Sequence, residues 1–320
     1  MPMSLSRLTA MAVTLTAVLV ASAAPAQAQA VAPTVLRMVD LGTLGGESSY
    51  AIAMNDLGEV VGNSATVDGS WHGFVWREGR MTDLGALEPA DINNKGQIAG
   101  QLDGVAVVWT EGRVTTIGTF GGTYSRPISI NDKGHVVGVA ATGDGSTVPF
   151  LWRHGTLTRL PLDDVSDLND KGVVSGGRLV EGGFHAGTWR GGAVTDLGAG
   201  AFNRSNTYGI NEKGWVIGWV FSAGQRERGA LWRGGELTDV GTLGGDTTHL
   251  IAINDRGRVL ATSQLADGGV HPASWYRGAW TDLTTRGVNS EADLVDLNDN
   301  GQIAGAYRPV FGISHAIIYT

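Results

Sequence analysis

Ile130-Asn131-Asp132-Lys133-Gly134 is one copy of the five-residue pattern that decides the fold of this chain. The pattern is an apolar residue, an asparagine, an acidic or amide residue, any residue and a glycine. Its seven copies are spaced by 38, 38, 38, 42, 43 and 44 residues, with their Asn-to-Gly parts at residues 55–58, 93–96, 131–134, 169–172, 211–214, 254–257 and 298–301. Recurrence at about 40 residues indicates a repeat architecture in which each copy is one supersecondary unit.

Each repeat contains further fixed positions that mark a second turn. A glycine follows the asparagine by seven residues at Gly62, Gly100, Gly138, Gly176, Gly218 and Gly305, with Ala261 in the sixth copy. An aromatic residue then follows at Trp76, Trp109, Trp152, Trp189, Trp232, Trp275 and Tyr319, and three residues after each tryptophan is another glycine. The Asn-Asp-x-Gly motif is typical of a tight hairpin turn, because Asn and Asp bond locally to the backbone and Gly accepts a positive φ. The glycine after each tryptophan indicates a second hairpin. The runs between the turns are short and rich in Val, Ile and Thr, so each repeat is predicted to form four strands.

The fold predicted by seven such units is all-β, a seven-bladed β-propeller of four-stranded antiparallel blades. The last copy ends at Tyr319-Thr320, before its fourth strand, and an unpaired strand of matching sequence precedes the first copy at residues 36–41. Pairing this strand with the last copy would close the ring and remove free sheet edges. We therefore expect a single propeller domain over residues 35–320.

The beginning of the chain has the composition of a targeting segment. Arg7 is followed by an apolar run and then by Ala26-Gln27-Ala28, which is a small-x-small cleavage pattern. We predict a signal peptide over residues 1–28, a short linker over residues 29–34, and an exported protein that is extracellular or periplasmic. A membrane anchor is the weaker interpretation, because Thr14 and Thr16 interrupt a run that is already shorter than the ~20 residues of a spanning helix.

The overall composition excludes several kinds of site and partner. The chain has no cysteine, which excludes disulfides, cysteine-ligated zinc and thiol nucleophiles. Lys and Arg total 23 against 31 Asp and Glu, a net charge of −8. Because no basic stripe is present, neither nucleic acid nor an anionic membrane surface is an expected partner. We expect a monomer.

The copies also carry a family resemblance. Asp40-Leu41-Gly42-Thr43-Leu44-Gly45-Gly46 recurs at residues 239–245, and with the Ile-Asn-Asp-x-Gly turn and a His-small-Phe step before tryptophan it resembles the bacterial HAF-family extracellular repeat. The literal His-Ala-Phe triplet does not occur, and three repeats have no histidine at this position. The degenerate copies are His72-Gly73-Phe74, His185-Ala186-Gly187, His271-Pro272-Ala273 and His315-Ala316-Ile317. The resemblance covers essentially the whole mature chain and implies an exported bacterial repeat protein, without implying an activity.

One position of the repeat differs between copies yet stays polar, as a site for a single asymmetric ligand requires. Five residues before each asparagine the chain carries Tyr50, Glu88, Arg126, Asp164, Asn206, His249 and Asp293, which we call the variable ring. If the first strand of each unit is innermost, these side chains surround one mouth of the central channel. The position two residues before the asparagine is expected to add Asp91, Asp167 and Asp296 deeper in the channel. The alternative explanation is that loop ends are polar because water surrounds them.

Two classes of function are compatible with such a ring. The first is a binding protein for a glycan, a small polar metabolite or a protein partner. This class is favoured because the sequence contains no recognisable catalytic motif. The second is a propeller-type polysaccharide lyase or hydrolase, in which paired carboxylates such as Asp164 and Asp293, or His249 with an acid, would transfer protons.

Two other groups of residues are interpreted as structural. The four histidines of the degenerate triplets lie too far from the axis to share an ion, and each is predicted to make a structural hydrogen bond. Residues 296–301 match the first half of a calcium loop through Asp296, Asn298 and Asn300, but Tyr307 replaces the glutamate expected at the twelfth position. We therefore expect a hairpin turn there, and no metal or cofactor.

Overall fold

Seven four-stranded antiparallel sheets form the protein in a computed structural model that describes residues 35–222, 224, 226–310 and 312–320. Each sheet corresponds to one repeat, so the predicted seven-bladed propeller is confirmed. Within the described residues the helical structure is one 3-10 turn, Leu283–Arg286. No helix in this part of the chain has the length and apolar character needed to cross a bilayer. The predicted signal peptide and linker lie outside the described residues.

The blades follow one another in chain order, and each first strand ends at its Asn-Asp-x-Gly turn. Blades 1, 2 and 3 consist of β2 (Gly45–Met54), β3 (Val60–Thr66), β4 (Trp71–Arg77) and β5 (Arg80–Asp83); β6 (Glu88–Ile92), β7 (Ile98–Leu102), β8 (Val105–Thr110) and β9 (Arg113–Thr116); and β10 (Gly121–Ile130), β11 (Val136–Thr142), β12 (Thr147–Arg153) and β13 (Thr156–Arg159). Blades 4, 5 and 6 consist of β14 (Asp164–Leu168), β15 (Val174–Val180), β16 (Gly183–Arg190) and β17 (Ala193–Asp196); β18 (Arg204–Ile210), β19 (Val216–Phe221), β20 (Arg228–Arg233) and β21 (Glu236–Asp239); and β22 (Gly244–Ile253), β23 (Val259–Leu265), β24 (Val270–Tyr276) and β25 (Ala279–Asp282). Blade 7 consists of β26 (Asp293–Leu297), β27 (Ile303–Val310), β28 (Ile313–Tyr319) and the N-terminal β1 (Met38–Asp40). The first strand of each blade contacts the first strands of both neighbouring blades, so these seven strands are innermost.

The N-terminal strand closes the ring, as the sequence predicts. Strand β1 pairs antiparallel with β28 in the register Met38↔Tyr319 to Asp40↔Ile317. His315 Nδ1 lies 2.7 Å from Asp40 Oδ2 across this junction, although the two residues are 275 positions apart. Both ends of the propeller therefore lie in one blade, and the last sheet has its fourth strand.

The hydrophobic core lies between neighbouring blades. Val61 and Val75 of blade 1 pack against Ile92, Ile98 and Val107 of blade 2, and all five are at most 4% exposed. Each of the other six blade junctions contains an equivalent cluster. Burial of this apolar surface is the main stabilising contribution, since a blade alone would leave one face of its sheet in water.

The glycine seven residues after each asparagine allows the first two strands of a blade to approach closely. A Cβ added at Gly138 would lie 2.2 Å from the carbonyl oxygen of Arg126, a distance that no side chain tolerates. At the other five glycines of this position, an added Cβ would lie 1.9–2.7 Å from the carbonyl oxygen of the variable-ring residue of the same blade. A β-bulge follows in every first strand, as between Pro127 and Ser129. The glycine and the bulge together fix the backbone of the variable ring.

Candidate functional site

The seven Asn-Asp-x-Gly turns surround one end of the central channel, and we call them the turn ring. Asn55 Oδ1 accepts the N–H groups of Leu57 and Glu59, so the local bonding predicted for the turn is confirmed. Each asparagine also donates from Nδ2 to the carbonyl of the asparagine in the next blade, from Asn55 to Asn93 at 2.9 Å and finally from Asn298 back to Asn55 at 3.2 Å. The seven bonds form a closed circle that joins every blade to the next.

The residue after each asparagine forms a second closed circle. Its backbone N–H donates to the side chain of the equivalent residue in the next blade, from Asp56 to Asn94 at 2.8 Å and finally from Asp299 to Asp56 at 2.8 Å. Six of the seven side chains are carboxylates: Asp56, Asp132, Asp170, Glu212, Asp255 and Asp299. Burial raises the pKa of Glu212 and of Asp255. The acidic position of the motif therefore holds neighbouring blades together, a role that sequence reasoning missed.

Asp91, Asp167 and Asp296 lie just inside the turn ring, on blades 2, 4 and 7. Their carboxylates accept backbone N–H groups of the following blades at 2.8, 2.9 and 2.9 Å, from Ile130, Ile210 and Met54 respectively. Burial raises the pKa of all three, to about 8 at Asp91 and about 6 at Asp296. Asp91 and Asp167 face a cavity of about 300 Å³ that all seven turns enclose. All three acids are thus bound into blade-to-blade contacts, and Asp91 and Asp167 open toward the turn end of the channel.

The variable ring lies further back along the innermost strands, five residues or roughly 16 Å of extended chain from the asparagines. Glu88, Arg126 and Asp164 line a single cavity of about 500 Å³, to which blades 1 to 4 all contribute. The amides of Asn63 and Gln101, on second strands, line the same cavity. Within the described residues, neither Glu88 nor Arg126 makes a side-chain hydrogen bond or ion pair, so both charges are available to a ligand.

Two further members of the ring have polar partners. Asn206 Nδ2 donates to Asp164 Oδ2 at 3.1 Å, which connects blades 4 and 5. Asp293 of blade 7 lies 3.3 Å from the guanidinium of Arg308. Asp164 and Asp293, the carboxylates considered as a catalytic pair, thus belong to blades that are not neighbours and contact different residues.

His249 belongs to a cluster formed by blades 5 and 6. Its ring lies edge-on to the ring of Tyr208, with centroids 4.9 Å apart. The Tyr208 hydroxyl donates to Glu227 at 3.1 Å, and His249 Nδ1 lies 3.8 Å from the same carboxylate. Burial, followed by the charge of Glu227, raises the pKa of Tyr208. The histidine therefore has an acid beside it, as the enzymatic interpretation requires.

Several residues that complete this end of the channel were not found from the sequence. Asn63 lies opposite Tyr50 across the first two strands and donates to its hydroxyl at 3.1 Å. Gln101 lies opposite Glu88 in the same register and donates to the carbonyl of Ser125 at 2.7 Å. Both amides lie eight residues after the asparagine of their repeat. That position varies between copies as strongly as the variable ring does, and this variation was the signal that could have identified them.

The four histidines of the degenerate triplets make the structural hydrogen bonds that the sequence predicts. Each Nδ1 contacts an aspartate at the end of the fourth strand of its blade: Asp83 at 2.9 Å from His72, Asp196 at 3.1 Å from His185, Asp282 at 2.8 Å from His271 and Asp40 at 2.7 Å from His315. In blade 5, Arg228 occupies the histidine position and pairs with Asp239. These pairs tie third strands to fourth strands at the outside of the propeller.

The turn of blade 7 that matches half of a calcium loop, residues 296–301, contacts the backbone of blade 1. Asn298 and Asn300 use their Nδ2 groups to donate to the carbonyls of Asn55 and Asp56, the second at 2.7 Å. The carboxylate of Asp296 accepts two backbone N–H groups. Among the described residues, no three His, Asp or Glu side chains are grouped as a metal ion would require.

The fold is shared with several propellers of known structure. The β-propeller domain of the Trilobed protease from Pyrococcus furiosus matches over 86% of this chain and 94% of its own, at 12% identity and a TM-score of 0.56. YCF48 bound to D1 peptide matches over 90% and 96%, at 12% identity and a TM-score of 0.51. A puromycin-hydrolysing peptidase of Mycobacterium tuberculosis matches over 85% and 49%, at 10% identity and a TM-score of 0.54. No family model and no curated protein sequence matches the chain. At such identities the likeness establishes a β-propeller and no shared activity.

Proposed function

We propose that this protein is an exported binding protein that holds a polar ligand at the variable ring. The contrast between the two ends of the channel carries the proposal. At the turn ring every asparagine and the residue after it are bonded to the next blade. At the variable ring, Glu88 and Arg126 face a cavity without a protein partner among the described residues. Export is supported by the signal-peptide pattern of residues 1–28.

The chemistry of the cavity suits a ligand with several hydrogen-bonding groups. It offers two carboxylates, one guanidinium and two amides, so donors and acceptors lie within one space of about 500 Å³. That volume falls within the roughly 300–1,000 Å³ typical of small-molecule sites. The fold does not require these charges, because the equivalent positions of other blades carry tyrosine, asparagine or histidine.

A polysaccharide lyase or hydrolase is the second candidate, and one observation favours it. The Tyr208–His249–Glu227 cluster places a carboxylate 3.8 Å from an imidazole at the same ring. A base and an acid in contact could transfer protons to and from a sugar ring. Release of unsaturated or newly reducing ends from polysaccharides, lost in His249→Ala, would support this candidate over simple binding.

Binding is tested by comparing the wild-type protein with the double variant Glu88→Gln/Arg126→Ala. The probes are neutral tetrasaccharides, amino acids, dicarboxylates and nucleotides, screened by thermal shift and followed by calorimetry for any compound that raises the melting temperature. We expect one class to bind and its affinity to fall at least about tenfold in the double variant. Glu111→Gln/Arg113→Ala removes the same two charges from an exposed turn of blade 2 and should bind as the wild type does.

Neither side chain of the first variant has a protein partner among the described residues, so its melting temperature should match that of the control. Unchanged affinity in the double variant, or the failure of every class to bind, would refute the proposal.

A further inference from the structure

An exposed aromatic pair stands beside the variable-ring cavity on blade 1. Tyr50 is 40% exposed and Trp71 is 51% exposed, although large aromatic side chains usually lose most of their surface on folding. Their ring centroids are 5.5 Å apart and the planes are inclined by 45°, so the two partly exposed rings form one tilted aromatic surface. Asn63 donates to the Tyr50 hydroxyl and also lines the cavity, which connects the pair to the polar groups of blades 2 to 4.

The repeat shows that the fold does not require this pair. The positions equivalent to Trp71, five residues before each aromatic of the third strand, are Gly104, Thr147, Phe184, Glu227, Val270 and Ser314. Blade 1 alone carries an aromatic residue both here and in the variable ring. Exposing two aromatic rings to water is unfavourable for the free protein, so their presence at one blade, next to an open cavity, indicates contact with a ligand.

The arrangement fits a sugar better than a peptide. A pyranose ring has one apolar face of C–H groups, which can cover an aromatic ring, and hydroxyls around its edge that both donate and accept hydrogen bonds. The amide of Asn63, the carboxylates of Glu88 and Asp164 and the guanidinium of Arg126 supply the matching acceptors and donors. An apolar side chain of a peptide would instead need a concave apolar pocket, whereas Tyr50 and Trp71 form an open, tilted surface.

We infer that the ligand of the variable ring is a neutral oligosaccharide, with one sugar stacked on Tyr50 and Trp71 and the next hydrogen-bonded in the cavity. This inference rests on the proposed function, because it names the ligand class of the same site. Trp71 supplies apolar contact area and Tyr50 supplies both a ring face and a hydroxyl. The polar groups of blades 2 to 4 then select the orientation of the chain of sugars.

The test is calorimetric titration of the full-length protein with cellotetraose, maltotetraose, xylotetraose and chitotetraose. We expect at least one of them to bind, and Trp71→Ala to weaken that binding at least about tenfold. Trp71→Phe keeps a ring and should retain most of the affinity. Val270→Ala is the matched control, since Val270 is the equivalent, 55% exposed residue of blade 6. Binding should also enhance or quench tryptophan fluorescence, and this change should be absent in Trp71→Phe.

The outcomes separate this inference from the proposed function. If a tetrasaccharide binds and Trp71→Ala leaves its affinity unchanged while Glu88→Gln/Arg126→Ala abolishes it, the stacking role is refuted and the polar site stands. If no tetrasaccharide binds but an amino acid, dicarboxylate or nucleotide binds and Glu88→Gln/Arg126→Ala abolishes that binding, the oligosaccharide is the wrong class and only this inference falls. If none of these probes binds, both are refuted.

Discussion

Asp91→Asn is expected to stabilise the protein far more at alkaline than at acidic pH. Burial raises the pKa of Asp91 to about 8 from an ordinary value of 3.8, and the charges of Asp167 and Asp296 act in the same direction. Because the folded-state pKa is raised, folding favours the protonated carboxyl. The contribution of Asp91 to the free energy of unfolding is therefore fully present below pH 3.8 and is lost progressively as pH rises from 3.8 to about 8.

The size of the effect follows from the shift and from the position of the carboxyl. Each pKa unit corresponds to about 1.4 kcal/mol, so a fully buried group would lose roughly 4 kcal/mol between pH 5 and pH 8. Asp91 is only partly covered because it faces the 300 Å³ cavity, where water screens its charge. We therefore expect a difference of about 2 kcal/mol. Asparagine is neutral, has nearly the same shape and keeps an oxygen that can accept the Ile130 N–H.

The assay is guanidinium unfolding followed by tryptophan fluorescence at about pH 5 and about pH 8. The gain of Asp91→Asn over the wild type should be about 2 kcal/mol larger at the higher pH. Glu47→Gln removes one charge from an exposed position of blade 1 and should show no such dependence. An equal gain at both pH values would refute burial as the origin of the raised pKa. A lower unfolding free energy than that of the wild type at both pH values would show that the Asp91 carboxylate stabilises the junction with blade 3.

Two further predictions concern the backbone and the closure of the ring. Gly138→Ala places a Cβ against the carbonyl of Arg126 and should lower the unfolding free energy by about 1–3 kcal/mol. Ala261→Gly, at the same position of blade 6, should change the unfolding free energy by at most about 1 kcal/mol. An unchanged unfolding free energy in Gly138→Ala would contradict the close approach of the strands. Asp40→Ala removes the hydrogen bonds to His315 and to the Gly42 N–H and should lower the unfolding free energy by about 1–2 kcal/mol. If the variant unfolds at the same denaturant concentration as the wild type, the Asp40–His315 contact does not help to close the ring.

The fold could be predicted because a propeller repeats its constraints seven times. A single Asn-Asp-x-Gly turn is weak evidence, but seven copies at similar spacing leave few architectures that bury every sheet. The strand that closes the ring could be predicted equally well, because the last repeat lacks a fourth strand and residues 36–41 supply one. Both inferences use local patterns and a count, and neither depends on knowing which side chains meet.

The two hydrogen-bonded circles of the turn ring could not be predicted in this way. Asn55 and Asn93 are 38 residues apart, and nothing in the spacing shows that one donates to the carbonyl of the other. A hairpin turn alone would accept Asp or Gly in place of asparagine. All seven copies nevertheless keep asparagine, and this strictness was the sign of a second bond that the turn does not explain. The acids at the next position were likewise interpreted as turn residues, although they join neighbouring blades.

The turn ring and the variable ring differ in what holds them in place, and this difference explains how the propeller could vary its binding residues without losing its fold. At the turn ring, each side chain bonds to an equivalent residue, so a change in one copy breaks a contact with its neighbour. At the variable ring, the blade is held by its backbone, through the close approach of Gly138 to Arg126 and the bulge that follows. The side chain at that position is therefore free to differ from blade to blade. An asymmetric set such as Tyr50, Glu88 and Arg126 costs the fold little, and for this reason we expect recognition to depend on the positions where the seven repeats disagree.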